Sequence, residues 1–297
     1  MTFLNNNDAL LEHLTTLKRQ AEQVGRILLS NPLTESAGKR ILECAEQVLI
    51  TPRDQFKTKP ITFYCQHRQC PICQWRRSDR ARAKMHGLFD VNPGLADGKW
   101  LFLTLTARNC QTWNLRETLK RRAKAFKRLT RRKFWRENVL GAIRYTEVDV
   151  GQEEPDTAHP HFHCLLLVRP SMFEGKNYLS EERWRDAWGQ ALQEGYLPRL
   201  EVKRLQGTPD QIRSQVVAVS GYSTKARAGV PDARWLISTT QQLKGERLIQ
   251  TSGVLSDIAQ HLNSEDVVDA DCSPPLRQAL QGPTFRWDHR SGYYYSV

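Results

Sequence analysis

The sequence predicts an α+β fold in which helices pack on a central antiparallel sheet of about five strands, preceded by a helical, cysteine-rich, zinc-binding segment. Three observations support this fold class. Apolar β-rich runs and amphipathic helical patterns follow one another in the order β-α-β-β-α-β, the split βαβ arrangement. Only a polar loop separates the second and third β-rich runs, which favours an antiparallel hairpin. Three cysteines fall within nine residues upstream of the first run.

The strands of this sheet are predicted from runs of β-branched, aliphatic and aromatic residues. They cover residues 100–106, 142–148, 159–168, 198–205 and 247–250. A leading helical segment is predicted over about residues 7–49, where Asp8 and Glu35 stand near helix starts. Ser180 and Thr208-Pro209 are typical helix starts before the fourth strand and after it. The predicted domains are residues 1–98 with the cysteines, 99–262 with the sheet, and 263–297, a linker and an aromatic tail that docks on the core.

Composition limits the class of protein. With 39% hydrophobic and 26% charged residues among 297, the chain is typical of a soluble globular protein of one or two domains. It contains no apolar run long enough for a membrane span. Its first residues lack the pattern of a secretory signal, so we expect a cytoplasmic protein. Seven cysteines, an odd number, then favour thiols or metal ligands over a disulfide framework.

A large positive charge predicts a polyanionic partner. The chain has 44 Lys and Arg against 32 Asp and Glu, a net charge of +12. Residues 115–136 hold eleven basic residues and one acid, over an apolar side with helical spacing. A solvated face and a membrane-surface helix are the alternatives, and phosphate backbone is the preferred partner. The predicted DNA contacts are Arg76, Arg77, Arg121, Arg122, Lys124, Arg128, Arg131 and Arg132.

Three histidines open the third strand. His159, His161 and His163 alternate along it, so their side chains project from one face of the sheet. Imidazoles presented by a rigid strand suit a metal site. The alternative is a set of hydrogen-bonded histidines at the edge of a core.

Grouped cysteines predict a second metal site. Cys65, Cys70 and Cys73 can share one Zn²⁺, and a structural zinc normally has four protein ligands. Cys44 is the leading candidate for the fourth ligand and His67 is the second. The alternative is a set of buried, inert thiols.

One tyrosine of the predicted helix after the fourth strand is a potential nucleophile. Tyr222 and Lys225 are three residues apart and are therefore neighbours on a helix surface. Most tyrosines in such a place only pack. A phenol beside a metal and a cation can attack phosphorus, provided that its proton is lost and the phosphoryl charge is neutralised.

These motifs resemble those of plasmid rolling-circle replication initiators, members of the HUH endonuclease superfamily. Phe102-Leu103-Thr104-Leu105-Thr106, His159-Pro160-His161-Phe162-His163 and Tyr222-x-x-Lys225 match the three family motifs in order. The segment from Cys65 to Ser78 is similar to the cysteine-rich region that many plasmid members carry before the nuclease core. The match runs from about residue 44 to 249, and the ordered combination is specific although each motif alone is not.

The resemblance implies a divalent metal bound by His161 and His163, with a third ligand from a neighbouring strand. Glu147 is favoured for that place, because a hairpin can bring it close, and His159 competes because it lies on the same face. Mn²⁺ and Mg²⁺ both suit such ligands.

The resemblance further implies that Tyr222 is the nucleophile and that Lys225 stabilises charge. The expected reaction nicks a single-stranded or extruded DNA origin, forming a 5′-phosphotyrosine and a free 3′-OH primer. A host helicase and polymerase are the implied partners. Some relatives place a glutamate four residues before the tyrosine for hydrolytic termination. Here Ala218 occupies that position, so another tyrosine or an acid such as Asp232 would be needed.

Other classes of protein remain open at this point. A relaxase or transposase of the same superfamily would share the chemistry. A non-catalytic zinc-containing DNA-binding regulator would use the charge and the cysteines but not the histidine strand. A metal-dependent hydrolase would activate water and leave no covalent adduct.

Overall fold

The protein's structure is a computed structural model that describes residues 6–54, 57–151, 154, 156–173, 178–221, 229–256 and 282–297. It has an α+β fold with two antiparallel sheets, which confirms the predicted fold class. The chain divides into two compact units. The first comprises Met1–Arg76, Ala226–Gln241 and Glu265–Val297, and the second comprises Arg77–Lys225 and Gln242–Ser264. The first unit is therefore discontinuous in sequence, whereas the predicted domains are three consecutive segments.

The elements are numbered in chain order. The helices are α1 (Asn6–Leu29), α2 (Glu35–Leu42), α3 (Pro71–Val91), α4 (Leu115–Thr130), α5 (Lys133–Asn138), α6 (Glu181–Leu192), α7 (Pro209–Ser220) and α8 (Ala233–Gln242). The strands are β1 (Gln47–Asp54), β2 (Lys57–Thr62), β3 (Lys99–Leu105), β4 (Cys110–Gln111), β5 (Val139–Val150), β6 (Thr157–Val168), β7 (Leu200–Arg204), β8 (Ile249–Gly253), β9 (Thr284–Asp288) and β10 (Tyr293–Ser296). Within the described part of the chain, no helix has both the length and the apolar character needed to cross a membrane.

The first unit joins the two ends of the sequence in one sheet. Its strand order is β10-β9-β1-β2, with antiparallel pairing throughout. The C-terminal strands are held by two buried aromatic residues. The indole of Trp287 donates to Glu22 of α1 at 2.8 Å, and the hydroxyl of Tyr294 donates to the carbonyl of Ala45 at 2.6 Å. The aromatic tail thus forms strands of the first unit.

The leading helical segment is shorter than the sequence predicts. α1 and α2 pack against each other, and the buried positions of α1 recur at helical spacing, as Leu14, Leu17, Ala21, Val24 and Leu28. The chain then enters β1 at Gln47, inside the predicted helical segment of residues 7–49. Val48, Ile50 and Thr51 are β-branched, so they fit a pleated strand better than a helix.

The second unit carries the predicted sheet. Its strand order is β7-β3-β6-β5-β8, with β4 pairing to β6, and all pairs are antiparallel. The five strands predicted from sequence are β3, β5, β6, β7 and β8. The predicted helix starts are also found, because Ser180 caps α6 and Thr208 forms a capping box at α7. The basic segment, predicted as one helix, is two helices, since Arg132 is extended between α4 and α5.

Helices cover both faces of this sheet. Alternate residues of a strand face opposite sides. Leu101 and Leu166 pack with α4, α5 and α6, whereas Trp100 and Leu165 pack with α7 and the second-unit part of α3. The odd-numbered residues of β6 therefore all face the α7 side, and the histidines are among them.

Candidate metal centres

The register of the second sheet brings a carboxylate beside two of the histidines. In the β5–β6 hairpin, Glu147 lies directly opposite His161, and Tyr145 lies opposite His163. On the other side of β6, Thr104 of β3 pairs with His163. The hairpin predicted from the sequence is therefore what places Glu147 next to the histidine strand.

The three side chains converge on one point. Oε2 of Glu147 is 3.3 Å from Nε2 of His161 and 3.0 Å from Nε2 of His163. The two Nε2 atoms are 3.0 Å apart. Both imidazoles are buried and Glu147 is half-buried. We call these three residues, Glu147, His161 and His163, the catalytic-metal group, after the role that the sequence predicts for them.

Neighbouring groups orient both rings. Nδ1 of His163 is hydrogen-bonded to the hydroxyl of Thr104 at 3.3 Å, and the ring stacks on Phe102 with 5.4 Å between centroids. Nδ1 of His161 donates to the carbonyl of His159 at 3.2 Å. Each ring thus has its Nδ1 engaged and its Nε2 directed at Glu147. Such outer contacts fix the tautomer of a metal-binding histidine, so the Phe102–Thr106 motif has a structural role.

Glu147 and His161 shift each other's pKa in opposite directions. Burial raises the pKa of Glu147, but hydrogen bonds from His161 and His163 and their charges outweigh burial and lower the pKa to about 2. Burial lowers the pKa of His161, yet the hydrogen bond and charge of Glu147 prevail and raise it. The carboxylate is therefore ionised at neutral pH and draws a positive charge toward itself.

His159 lies outside the catalytic-metal group. Its Nδ1 is hydrogen-bonded to Oδ1 of Asn109 at 2.7 Å. Burial lowers its pKa, followed by the nearby positive charges of His161 and Arg122. The geometry thus favours Glu147 over His159 as the third metal ligand.

Sequence reasoning did not identify a second acid near the histidines. Oδ2 of Asp149 is 3.9 Å from Nε2 of His161. Asp149 is two residues after Glu147 on β5, so strand periodicity alone places both side chains on one face. The two-residue spacing of Glu147 and Asp149 is therefore the sequence signal that could have identified this second acid.

The catalytic-metal group fits a divalent cation. Two imidazole nitrogens and one carboxylate oxygen leave coordination positions open, a donor set that Mn²⁺ and Mg²⁺ accept. The fit rests on the shared direction of the donor atoms, all of which lie within 4.8 Å of one another.

Thr104→Val is expected to weaken Mn²⁺ binding by about 10- to 100-fold, because it removes the hydrogen bond that orients His163. Calorimetric titration of the full chain with Mn²⁺ measures this. Thr106→Val is the matched control, since the hydroxyl of Thr106 donates to the carbonyl of Arg199. Equal affinities of the two variants would contradict a role for Thr104 at the metal.

Tyr222 and Lys225 lie outside the described residues. α7 ends at Ser220, with Gly221 as its C-cap. The predicted helix that carries the tyrosine is thus present up to two residues before Tyr222. Ala218 is exposed on α7. Asp232 accepts a hydrogen bond from the backbone N–H of Arg234 at 2.8 Å, at the start of α8.

A cluster of four buried cysteines lies in the first unit. Cys44, Cys65, Cys70 and Cys73 bring their sulfur atoms within 4.8 Å of one another. Sγ of Cys73 is 3.7 Å from Sγ of Cys44 and 3.6 Å from Sγ of Cys65. Four thiols in this arrangement fit tetrahedral Zn²⁺. Of the two predicted fourth ligands, Cys44 is in the cluster. His67 is not, and its Nδ1 accepts from the backbone N–H of Gln69.

The surroundings of this cysteine cluster suit a metal. Burial raises the pKa of Cys44 and Cys70, so a metal must displace their protons to bind. Lys18 is fully buried and donates to the carbonyls of Leu42 at 2.6 Å and Cys44 at 2.9 Å. A Zn²⁺ bound by four thiolates carries net negative charge, which this ammonium would balance.

The predicted DNA-contact residues differ in exposure. Arg121, Lys124 and Arg131 are exposed, whereas Arg77, Arg128 and Arg132 are half-buried. Nε of Arg128 and a terminal nitrogen of Arg132 donate to groups of α6. Two members of the set do not suit DNA contact because they are buried, Arg76 with 5% and Arg122 with 4% of its surface exposed.

The burial of Arg122 has a structural cause. Its guanidinium donates to the carbonyls of Pro160 and Arg108, which anchors α4 to the start of the histidine strand. Arg122 therefore positions β6, and a pattern of basic residues alone does not distinguish such a residue from its exposed neighbours.

The chain is similar to known replication proteins. The model of the Replication protein family Rep_1 matches residues 58–290. A Lactiplantibacillus plantarum protein named "Protein rep" is 30% identical over 254 residues, covering 79% of this chain and 80% of that protein. "Protein rep" of Lentilactobacillus hilgardii is 27% identical over 274 residues, covering 86% of each. No solved structure matches the chain.

Proposed function

The chain belongs to the Replication protein family, and on that premise we propose that it initiates plasmid rolling-circle replication by nicking and rejoining one DNA strand. The observation that carries the chemical part of the proposal is the convergence of Glu147, His161 and His163. Two Nε2 atoms directed at one carboxylate on the ordered strands of a sheet are a preorganised metal site. The metal-dependent site, the family and the positive charge all fit an enzyme that acts on DNA.

The topology supports Tyr222 as the nucleophile. β7 begins at Leu200, which pairs with Leu105 of β3. Leu105 also pairs with Phe162 of β6, which lies between His161 and His163. α7 starts beyond the other end of β7 and packs on the histidine face. A helix of 12 residues is about 18 Å long. If such a helix runs back along the sheet, it ends near the level of the histidines. Tyr222 follows the end of α7 by two residues.

In the proposed reaction the phenolic oxygen of Tyr222 attacks the scissile phosphorus in line. The phenol releases its proton to solvent as the O–P bond to tyrosine forms and the bond from phosphorus to the 3′ oxygen breaks. That oxygen takes up a proton from solvent to become the primer 3′-OH. Lys225 stabilises the negative charge that develops on the phosphoryl group. The products are a 5′-phosphotyrosine and a free 3′-OH, and attack by a 3′-OH in the reverse direction rejoins the strand.

The catalytic-metal group has a defined part in this reaction. His161, His163 and Glu147 would hold a divalent cation, which supplies Lewis-acid polarisation of the phosphate and orients it. Thr104 and Phe102 hold the ring of His163, and the carbonyl of His159 holds that of His161. These contacts limit the motion of the imidazoles during turnover.

Exposed basic residues of α4 and of its C-cap, Arg131, would bind the DNA backbone. Lys120, Arg121, Lys124, Lys127 and Arg131 are exposed in this segment. Such contacts position DNA without reading its sequence and weaken as salt increases. A host helicase and polymerase would act on the nicked product.

His161→Ala is expected to weaken Mn²⁺ binding by more than the roughly 10- to 100-fold cost of losing an outer hydrogen bond, because a ligand is removed. His159→Ala is the matched control and should bind Mn²⁺ nearly as the unchanged protein does. Calorimetric titration with Mn²⁺ gives both affinities. The zinc content of both variants should be unchanged, since the cysteine cluster is a separate site. A larger loss in His159→Ala would overturn the assignment of Glu147.

Incubation with 3′-end-labelled, single-stranded origin DNA and Mn²⁺ tests the proposed function. The expected result is a labelled protein band that survives denaturation. Free cleavage product without an adduct would indicate a hydrolase that activates water. A shifted native band without cleavage would indicate a non-catalytic zinc-containing DNA-binding regulator. Either of the latter results would refute the nicking mechanism.

A further inference from the structure

A cavity lies on the sheet face opposite the histidines. Its volume is about 600 Å³, and its walls come from α4, α5, β5 and β8. Phe126 and Ala142, which line it, belong to the core cluster on the α4 side of the sheet. The cavity is therefore separate from the catalytic-metal group, which faces α7. Of the residues that line it, the proposed function uses only Lys124 and Lys127, as contacts with the DNA backbone.

The base of this cavity holds a buried cation. Arg144 lines the cavity, and only 3% of its surface is exposed. Its guanidinium carbon is 4.9 Å from the ring centroid of Phe126 and 4.3 Å from that of Phe162. Among the described residues no carboxylate forms a salt bridge with Arg144, and its buried Nε has no hydrogen-bond partner. The contacts with aromatic rings only partly replace hydration, and an unpaired buried charge is costly.

The rim of the cavity adds positive charge and hydroxyl groups. Lys124 and Lys127 of α4 are exposed and line it, and so do Thr130, Thr251 and Ser252. No acidic residue is found among the described residues that line the cavity. The electrostatic environment thus favours an anion, and the exposed lysines and Ser252 show that solvent reaches the rim.

The cavity is larger than a simple anion requires. Arginine presents a planar fork of donors that matches phosphate oxygens. Phe126, Trp135 and Val139 supply apolar walls beside it. A volume of about 600 Å³ falls in the range of small-molecule sites. A phosphate attached to an organic group of moderate size fits these features better than inorganic phosphate alone.

We propose that this cavity binds a nucleoside phosphate, with the phosphate at Arg144 and the two lysines and the nucleoside against the apolar walls. The ligand is either a free mononucleotide or one residue of a DNA strand, since both present the same chemistry. The site is independent of Tyr222 and of the catalytic-metal group, so its test does not depend on nicking.

Binding of deoxyadenosine monophosphate to the full chain tests this proposal by calorimetric titration, with deoxyadenosine as the probe that lacks phosphate. Lys124→Gln combined with Lys127→Gln is expected to weaken binding of the monophosphate on the order of tenfold or more, because charged hydrogen bonds are lost. Lys99→Gln combined with Lys133→Gln is the matched control. It removes the same charge from exposed lysines outside the cavity and should leave affinity within about twofold.

A parallel titration with a short single-stranded oligonucleotide separates the two sources of the phosphate. The ligand is a free nucleotide if the monophosphate binds and its affinity is weakened only by the cavity pair, Lys124→Gln with Lys127→Gln. If only the oligonucleotide binds, and the cavity pair weakens it more than the control pair does, the ligand is part of a DNA strand. Arg144→Lys keeps the charge but loses the planar fork of donors, so it should weaken binding of whichever probe the unchanged protein binds. Equal effects of both lysine pairs on every probe, or no phosphate-dependent binding, overturn the proposal.

Discussion

Tyr222→Phe is expected to abolish the covalent protein–DNA adduct, lowering its rate of formation by at least about 10⁴-fold. Phenylalanine keeps the ring but has no oxygen to attack phosphorus. Formation of the labelled adduct in the presence of Mn²⁺ measures the effect. Binding of the same DNA in a native gel should be unchanged, because the substitution leaves the basic residues and the catalytic-metal group intact.

Tyr145→Phe is the matched control for this experiment. Tyr145 lies opposite His163 in the hairpin, so it is the described tyrosine nearest in register to the catalytic-metal group. Its hydroxyl is fully buried, and burial raises its pKa. A buried, protonated phenol without access to DNA is a poor nucleophile, so this variant should keep the adduct. An adduct that survives Tyr222→Phe but not Tyr145→Phe would transfer the nucleophile to β5.

Cys73→Ser is expected to remove bound zinc and strongly destabilise the first unit. Sγ of Cys73 lies within 3.7 Å of Sγ of Cys44 and of Cys65, so it is a central member of the cluster. Structural zinc in small zinc-finger peptides contributes roughly 10–16 kcal/mol of apparent binding energy, and serine is a far weaker ligand. Zinc content by atomic spectroscopy and thermal unfolding of the full chain measure the two effects.

Two controls make this result specific. Cys110→Ser changes a cysteine outside the cluster that is half-buried, and should keep both zinc and stability within about 0.5 kcal/mol. His67→Ala tests the other predicted ligand and should also keep zinc. If Cys73→Ser retained one zinc per chain with unchanged unfolding, the four cysteines would be buried thiols without a metal.

The second sheet was predictable because its signals are local. The run of residues 100–106 and the histidine strand have the two-residue period of strands, and Thr208-Pro209 has the chemistry of a helix start. The polar loop after β5 indicated the hairpin, and the hairpin put Glu147 beside His161. For the same reason the candidate metal ligands could be named from sequence, where Glu147 is favoured over His159. The geometry agrees, because Glu147 lies beside His161 and His163 whereas His159 is hydrogen-bonded to Asn109.

The features that sequence reasoning missed depend on distant contacts. The pairing of Val48 with Phe285 joins residues from opposite ends of the chain, and no local pattern specifies such a partner. Arg122 has the same side chain as its exposed neighbours, but its contacts with the carbonyls of Pro160 and Arg108 draw it inward. The apolar pattern of α3 is weak, so its extent from Pro71 to Val91 was not predicted.

The place of the last strands has a consequence for how the protein is made. β9 pairs with β1 and β10 pairs with β9, so the first sheet is incomplete until translation has passed residue 296. Domains usually fold as the ribosome releases them, N-terminal part first. Here the N-terminal part must wait for β9, and a polypeptide that ended before β9 would expose an open edge of β1 that favours aggregation. Only a polypeptide translated through β10 can assemble this sheet, so an interrupted chain would lack a folded first unit.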